Sequence, residues 1–490
     1  MLKRSLLNAQ LFKNKAFING EWIHHSKTYT VCNPAQYSEP LAQVPDMNAD
    51  DAKIAIRAAK DAQDAWRKYS GRKRSDLLRN WYNLVMKHQN DLATLVTLES
   101  GKPFSESLKE VAYGASFIQW FSEEAVRIYG DIIPFTSGKR ILVTKQPVGP
   151  VGLITPWNFP IAMITRKASA ALAAGCTVVC KPAPETPLSA LALAELSCSA
   201  GIPSGVFNVI TSSKDQSPSI GLELCANPAI RKISFTGSTL VGKWLAEKCA
   251  SNLKRVSLEL GGNAPFVVFE DADLSAAIEG FLTAKFRNTG QTCIAANRIY
   301  VHSSVYSTFS QMLIERMKQL HVGDGFEPNV SIGPLISQAG YEKAHRHVTQ
   351  MMNMGAELVM GGKQHSKGGL FYEPTLLLNV DHSKAVIQAE ESFAPIAGLI
   401  PFETEAQVME WANDTRHGLG SYFYTRDVGR IFRISNFMES GMVGINDANI
   451  SNEVAPFGGI KDSGMGREGS KYGIEEYLDI KYTCIGGIQE

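Results

Sequence analysis

The sequence predicts an α/β protein of two domains, each built on a largely parallel sheet. Three observations lead to that class. The chain has 490 residues, more than a single hydrophobic core usually supports. From Gly149 onward, short apolar runs (VGLIT, CTVVCKP, GVFNVIT, IRKISFTG) alternate with helical patterns such as SALALAELSCSAGI, the texture of βαβ units. A second alternation begins after KRVSLELGG, so two α/β units meet near Gly261 and Gly262.

The elements follow in order. The opening MLKRSLLNAQLFKNKAFING is basic and has no acid before Glu21; it lacks the apolar stretch of a secretory signal, and FINGEW reads as the first strand and turn. Residues 51–100 place apolar side chains at helical spacing, predicting two or more amphipathic helices that serve packing. In the second unit NAPFVVF reads as a strand, LSAAIEGFLTAKF as a helix, NRIYVH as a strand and residues 305–320 as a long helix; ELVMGG, YEPTLLL and LIPFE supply further strands. No repeat, low-complexity tract or Pro/Gly/Ser linker interrupts them, so the domains are expected to pack together with a ligand cleft between.

Composition narrows the partners. With 44% hydrophobic and 20% charged residues the chain is of ordinary globular type, and Lys+Arg 49 against Asp+Glu 48 leave a net charge of +1. That balance provides no footprint for nucleic acid or anionic membrane, and the expected partner is a small molecule. The most apolar run, residues 168–180, is short and broken by Ser169, Gly175 and Thr177, too little to cross a bilayer; a cytoplasmic protein is expected. The eight cysteines (Cys32, Cys176, Cys180, Cys198, Cys225, Cys249, Cys293, Cys484) have no CxxC pairing, so neither a disulfide framework nor a metal site is expected.

Cys293 is set apart by its neighbours. FRNTGQTCIAANR surrounds it with amides, hydroxyls and arginines, the polar setting in which a thiol can ionise and attack; Cys176, Cys180 and Cys225 sit in apolar runs and read as core. LELGGN puts Glu259 at a strand end against two glycines, an exit that would aim its carboxylate into the cleft. FTGSTLVG runs from a strand through Gly237 and Ser238 into a helix, the geometry that offers backbone amides to a pyrophosphate, although it is not GxGxxG. ITPWNFP reads as an extended segment pinned by two prolines, with Asn158 either shaping a turn or held as an oxyanion donor.

Seven motifs, PWNFP, KPAPETP, FTGST, LELGGNAP, GQTC, EESFAP and PFGGIKDSGMGREG, occur in that order along the whole chain. Together they resemble the aldehyde dehydrogenase superfamily, and MITRK, KFRNTGQTC, ISNEVAPFGG, GREGSKYGIEEYL and IKYTCIG resemble its succinate-semialdehyde dehydrogenase branch. The resemblance implies two Rossmann-like domains, one for the cofactor (residues 1–126 and 150–261) and one catalytic (262–471). It also implies a small β flap (127–149 and 472–490) through which a homodimer or homotetramer assembles.

The same resemblance implies roles. Cys293 would be the nucleophile, Asn158 and the Cys293 backbone N–H the oxyanion donors, and Glu259 the base that activates water against the thioester. NADP or NAD would lie against Thr155, Pro156, Trp157, Lys181, Pro184, Glu185, Phe235, Thr236, Gly237, Ser238, Gly242, Leu260, Glu391 and Phe393, with Lys181 on the adenosine ribose and Glu391 on the nicotinamide ribose. Arg166, Arg287 and Ser451 would converge on a substrate carboxylate, making succinic semialdehyde the expected substrate and glutaric semialdehyde or another short aldehyde the alternative.

Three positions depart from the family pattern. Ala394 replaces a glycine, which would leave the backbone near Glu391 less free. Ala295 removes a second cysteine and with it a CxC disulfide. Pro184 occupies the position that selects between NAD and NADP, and the displaced carboxylate of Glu185 is expected to turn away; Lys181 would then face no opposing charge, and NADP would be modestly preferred. Glu259 argues against a CoA-acylating relative, and the presence of both Cys293 and Glu259 argues against a non-catalytic binding protein.

Overall fold

The computed structural model describes residues 10–36, 40–136, 138–383 and 386–488, with the side chain of residue 388 set aside. Most of the basic opening segment, residues 1–9, lies outside the described residues, as do the last two residues of the expected flap. FINGEW forms the expected hairpin: strands Ala16–Ile18 and Glu21–Ile23 are joined by Asn19 (φ 54°) and Gly20 (φ 81°), the Asn-Gly pair whose left-handed conformation matches strand twist.

That hairpin forms one edge of an eight-stranded sheet. Inside it, five parallel strands run in the spatial order Phe207–Val209, Val178–Lys181, Val151–Ile154, Lys232–Thr236, Arg255–Glu259, and Gly464–Met465 closes the far edge. The chain starts in the middle at Val151, winds outward through Val178 and Phe207, then crosses to the other side at Lys232. The direction of winding therefore reverses between Val151–Ile154 and Lys232–Thr236, where the loops after the carboxyl ends diverge and open a crevice.

The second sheet repeats this plan. Its spatial order is Glu357–Met360, Thr375–Leu378, Ile396–Phe402, Ala296–His302, Ala264–Val268, Gly420–Tyr424, Met442–Ile445, parallel except at Glu357–Met360. Here the reversal falls between Ala264–Val268 and Gly420–Tyr424, and the space beyond those strands is filled. Asp271 accepts hydrogen bonds from Arg426 N (2.8 Å), Asp427 N (2.9 Å), Thr425 Oγ1 and Arg430 Nη1 (2.9 Å), seating a carboxylate just ahead of helix Val428–Phe437.

The amphipathic region 51–100 gives three helices, Ala49–Trp66, Gly71–Lys87 and Gln89–Ser100. Asn48 and Asp51 form a capping box at the start of the first, satisfying two of its free N–H groups. The expected helix 274–286 is helix Leu274–Phe286; the one expected over 305–320 starts and ends earlier, at Ser303–Met317, because His302 caps it. A third sheet pairs Asp131–Ile133, Lys139–Pro147 and Leu478–Gly486. Residues 470–475 are helix rather than strand, so the C-terminal strand begins at Leu478. Ile132 and Ile480 on this sheet are each 72% exposed. No helix among the described residues is long and apolar enough to cross a membrane.

Candidate active site

Four carboxyl ends of the first sheet converge on the crevice: Thr155 follows Val151–Ile154, Lys181 ends its strand, Thr236 ends Lys232–Thr236 and Glu259 ends Arg255–Glu259. The strand-to-helix turn is steric in origin. A Cβ on Gly237 would stand 2.4 Å from the Phe235 ring, and one on Gly242 would stand 2.3 Å from Leu260, so the helix Thr239–Ala250 lies close against Leu260. Ser238 caps that helix through Val241 N, and its first turn offers N–H groups to an anion. Thr155 Oγ1 and Thr236 Oγ1 are buried without a hydrogen-bond partner among the described residues. A dinucleotide that brings hydroxyls and a pyrophosphate fits this donor-rich crevice.

Lys181 is buried with its Nζ 3.2 Å from its own neighbour's carbonyl, Pro182 O. Burial pulls the amine down to about 8, and the Glu185 carboxylate pulls it the other way. Glu185 is near enough to act on the Lys181 amine, although no ion pair joins the two among the described residues. Pro184 and Glu185 are both half-buried, and burial raises the Glu185 carboxyl against the attraction of Lys181 and Lys214.

The segment from Thr155 to Ile161 is a bend, not an extended strand, and helix Ala162–Ala174 follows at once. A buried ion pair fastens it. Lys102 Nζ, bonded to Glu110, donates to Asn158 O (2.7 Å), and Glu110 Oε1 accepts from Ile161 N (2.9 Å). Asn158 Nδ2 reaches Gln291 O at 3.1 Å, which sets the amide beside the cysteine loop. Pro156 and Trp157 are half-buried; the Trp157 ring meets Phe393 edge-on at 5.6 Å.

Phe393 takes φ 52°, so the local strain falls there and not on Ala394, which is buried outside the left-handed region. The alanine is thus accommodated without glycine's freedom. Glu391 Oε1 accepts from Gly262 N at 3.2 Å, and burial raises this carboxyl to about 7.

The cysteine loop is strained. Asn288 (φ 50°), Thr289 (φ 59°) and Gly290 (φ 75°) are three successive left-handed residues, two of them not glycine, a conformation that persists only where the surroundings enforce it. Glu106 Oε2 accepts from Asn288 N (2.8 Å), Thr289 Oγ1 meets Gly333 O (3.2 Å), and Gln291 Oε1 accepts from Ile336 N (2.9 Å). Cys293 is half-buried against Ile294, Leu419, Met442 and Phe457. Burial pushes its thiol up to about 12, with Glu391 and Glu259 adding to the rise and Arg166 and Arg287 opposing it. The polar sequence neighbours do not hold it ionised; their polar groups are spent on the loop itself.

Glu259 is buried, with its Oε2 unpartnered among the described residues. Burial, then the nearby Glu468 carboxylate, raises its carboxyl well above the usual range, against Lys167, Arg166 and Arg467. Arg166, expected beside the substrate, is 1% exposed and lies 2.6 Å from Glu468 through Nε; Lys167 pairs with the same carboxylate. The guanidinium is stacked between Phe117 (4.8 Å) and Phe457 (4.2 Å), its Nη1 reaches Tyr113 OH at 3.3 Å, and Nη2 has no hydrogen-bond partner among the described residues.

Cys293, Arg166, Arg287, Ser451, Tyr113 and Phe457 line a cleft of about 620 Å³, whereas Glu259 and Asn158 are not among its lining residues. Arg287 lies over the Phe159 ring at 5.5 Å. Ser451 Oγ hydrogen-bonds the Tyr113 hydroxyl. Sequence reasoning missed Lys102, Glu106, Glu110, Tyr113 and Glu468: the first four lie just beyond the stretch 51–100, where no reading was made, and Glu468 lies inside GREG, a motif quoted but given no role.

A sequence model of the aldehyde dehydrogenase family matches residues 22–483. Over 484 residues, 98% of this chain and 99% of the relative, the chain is 54% identical to "Succinate-semialdehyde dehydrogenase [NADP(+)]" of Escherichia coli. It is 53% identical over 486 residues to a "Glutarate-semialdehyde dehydrogenase" of Pseudomonas aeruginosa, covering 99% of this chain and 100% of the relative. Among solved structures, an E. coli NADP dependent enzyme superposes with a TM-score of 0.96 at 55% identity, covering 98% and 100% of the two chains.

Proposed function

The chain belongs to the aldehyde dehydrogenase family, and from that premise we propose that it oxidises succinic semialdehyde to succinate with NADP or NAD. The observation that carries the substrate is the cleft itself: two guanidiniums, Arg166 and Arg287, and the Ser451 hydroxyl line the same 620 Å³ space as Cys293. A carboxylate entering there meets charge-assisted donors, while its aldehyde end reaches the thiol. Relatives with both the four-carbon and the five-carbon semialdehyde in their names stand at nearly equal identity, so glutaric semialdehyde is the second reading.

The Cys293 thiol holds its proton at rest, and addition to the aldehyde carbon requires that proton to leave. Glu259, made more basic by burial and by Glu468, is the base the site supplies. The oxyanion that forms is received by the Asn158 amide and the Cys293 backbone N–H. Lys102 and Glu110 hold the Asn158 backbone from both sides, so the donor need not reorganise. Bound in the crevice, the nicotinamide cofactor supplies the hydride acceptor. Once Glu259 has released that first proton to solvent, its carboxylate takes a proton from water as the water oxygen attacks the Cys293 thioester; the thiolate leaves and the acid is released.

Residues 150–261 together with the N-terminal helices form the cofactor domain of this proposal, residues 262–471 the catalytic domain, and the three-stranded sheet the oligomerisation flap. Exposed Ile132 and Ile480 on that sheet support a homodimer or homotetramer, since apolar strand surface favours burial against a second copy. Eight free thiols fit a reducing, cytoplasmic setting. The test is steady-state formation of reduced nucleotide from succinic semialdehyde, glutaric semialdehyde and a neutral aldehyde of matched length, with each cofactor. A higher kcat/KM for the neutral aldehyde would refute the substrate assignment; a higher value for the five-carbon acid would move it to the second reading.

A further inference from the structure

Behind the cleft, wholly out of contact with solvent, lies a lysine that the mechanism above does not use. Lys285 lies in the last turn of the helix Leu274–Phe286, eight residues before Cys293, and is 0% exposed. Its Nζ donates to Asn297 Oδ1 (2.9 Å) and to Ser392 Oγ (3.0 Å), and Ser392 Oγ in turn donates to the same Asn297 Oδ1 (2.8 Å). The three groups close a triangle. One corner precedes the strained cysteine loop, the second follows it on strand Ala296–His302, and the third is the residue after Glu391.

The two loops joined by this triangle also touch directly: a Cβ on Gly290 would stand 2.3 Å from Ala394 O. On its other side Glu391 is fastened through Glu390, whose Oε2 lies 2.8 Å from His347 Nε2 and 2.7 Å from Arg346 Nη2. Glu391 is thus held between two anchored neighbours, of which the Ser392 anchor leads back to the cysteine loop; its own carboxylate also meets Gly262 N, beside the Cys293 carbonyl. An amine with no carboxylate in contact is costly to bury. Burial draws Lys285 down to about 7, opposed by Glu391 alone. A methionine would fill the same space without that cost, so the amine is retained for its hydrogen bonds.

We propose that Lys285 is a positioning residue that couples the Glu391 loop to the Cys293 loop, so that engagement of the cofactor at Glu391 resets the reactivity of the thiol. The coupling rests on the reading that Glu391 grips the nicotinamide ribose. A two-position element biased from both ends is what such coupling needs, and the triangle is the contiguous link.

The test measures the alkylation rate of Cys293 by iodoacetamide, read on its own peptide by mass spectrometry, with and without saturating NADP. In the parent protein the two rates differ; in Lys285→Met and in Ser392→Ala their ratio collapses toward one and kcat falls about tenfold, the scale of one lost hydrogen bond. Ser392→Thr, which keeps the hydroxyl, restores the ratio. Melting temperature is followed in parallel, and Ser392→Ala remains decisive should Lys285→Met fail to fold. A ratio of one in the parent, or a parental ratio in a folded Ser392→Ala protein, overturns the proposal. Glu391→Gln separates the underlying reading: unchanged NADP affinity by fluorescence titration removes the ribose role of Glu391, and the proposal of cofactor coupling falls with it, whereas weakened affinity with an unaltered ratio in Ser392→Ala overturns the Lys285 link alone.

Discussion

Replacing Gly262 with alanine isolates the seam between the two sheets. The φ of Gly262 lies outside the left-handed region, so an alanine meets no backbone strain and the effect is purely one of space. Its Cβ would stand 2.2 Å from the carbonyl oxygen of Cys293, where approaches under 3.0 Å essentially do not occur, so backbone must yield by about 0.8 Å. The Gly262 N–H that meets Glu391 Oε1 at 3.2 Å moves with it. Displacing a reacting group by about 1 Å costs on the order of a hundredfold in rate, while overpacking costs about 1–3 kcal/mol of stability. Gly261→Ala is the internal control. Its Cβ would meet only side-chain oxygens, Glu391 Oε2 and Thr239 Oγ1, each at 3.2 Å; these need yield by a few tenths of an ångström, and any effect on the Glu391 contact is removed by saturating nucleotide. Single-turnover formation of reduced nucleotide and the melting temperature are measured for both variants. Gly262→Ala is expected to lose about a hundredfold in the first turnover and Gly261→Ala less than about threefold. Equal losses, or a Gly262→Ala protein within about threefold of the parent, refute the claim that the Cys293 carbonyl is fixed against this glycine.

Arg287→Ala should cost about 1.5–3 kcal/mol in kcat/KM for succinic semialdehyde and much less for a neutral aldehyde, since one charged contact is lost; equal losses would make the arginine structural. Arg166→Ala should in addition destabilise the fold by roughly 3–5 kcal/mol, because it strips a partner from buried Glu468, visible as a lower denaturant midpoint. In Glu468→Gln the like charge that raises Glu259 disappears and Lys167 and Arg166 lose their partner; both effects favour ionised Glu259. A base with a raised pKa acts only above it, so the acid limb of the kcat/KM profile should move to lower pH, and a limb that stays or rises contradicts the assigned base. Pro184→Glu should shift cofactor preference toward NAD by about 1 kcal/mol through repulsion of a 2′-phosphate, read from the ratio of kcat/KM values with the two nucleotides.

What the sequence revealed was local. The helix Leu274–Phe286, the hairpin at Asn19 and Gly20 and the strand ending at Glu259 each follow from a period or a turn signal within a dozen residues. The buried fates of charged groups did not. Arg166 meets Glu468 across the length of the chain, Lys102 reaches Asn158, and Lys285 reaches Ser392; no periodicity reports a partner so distant. Left-handed Thr289 was equally invisible, since Asn288 and Gly290 are residue types that favour that conformation and a β-branched threonine is not. The ionisation of Cys293 was misjudged for the same reason: polar neighbours in sequence turn their groups to Gly333, Ile336 and Glu106, and leave the sulfur to an apolar wall.

The carboxylate of Asp271, seated where the second sheet reverses direction, decides which way that half of the molecule faces. Donors from the segment after Gly420–Tyr424 hold that carboxylate as a bound anion would be held. The second half works instead from the opposite rim, where Cys293 and Glu391 precede their strands and look across to the open rim of the first. Asp271 and its donors Thr425, Arg426, Asp427 and Arg430 are absent from the lining of the cleft that holds Cys293. A fused domain, label or surface tether attached beside Arg426 and Asp427 would ride on the enzyme without standing in the path of substrate or cofactor.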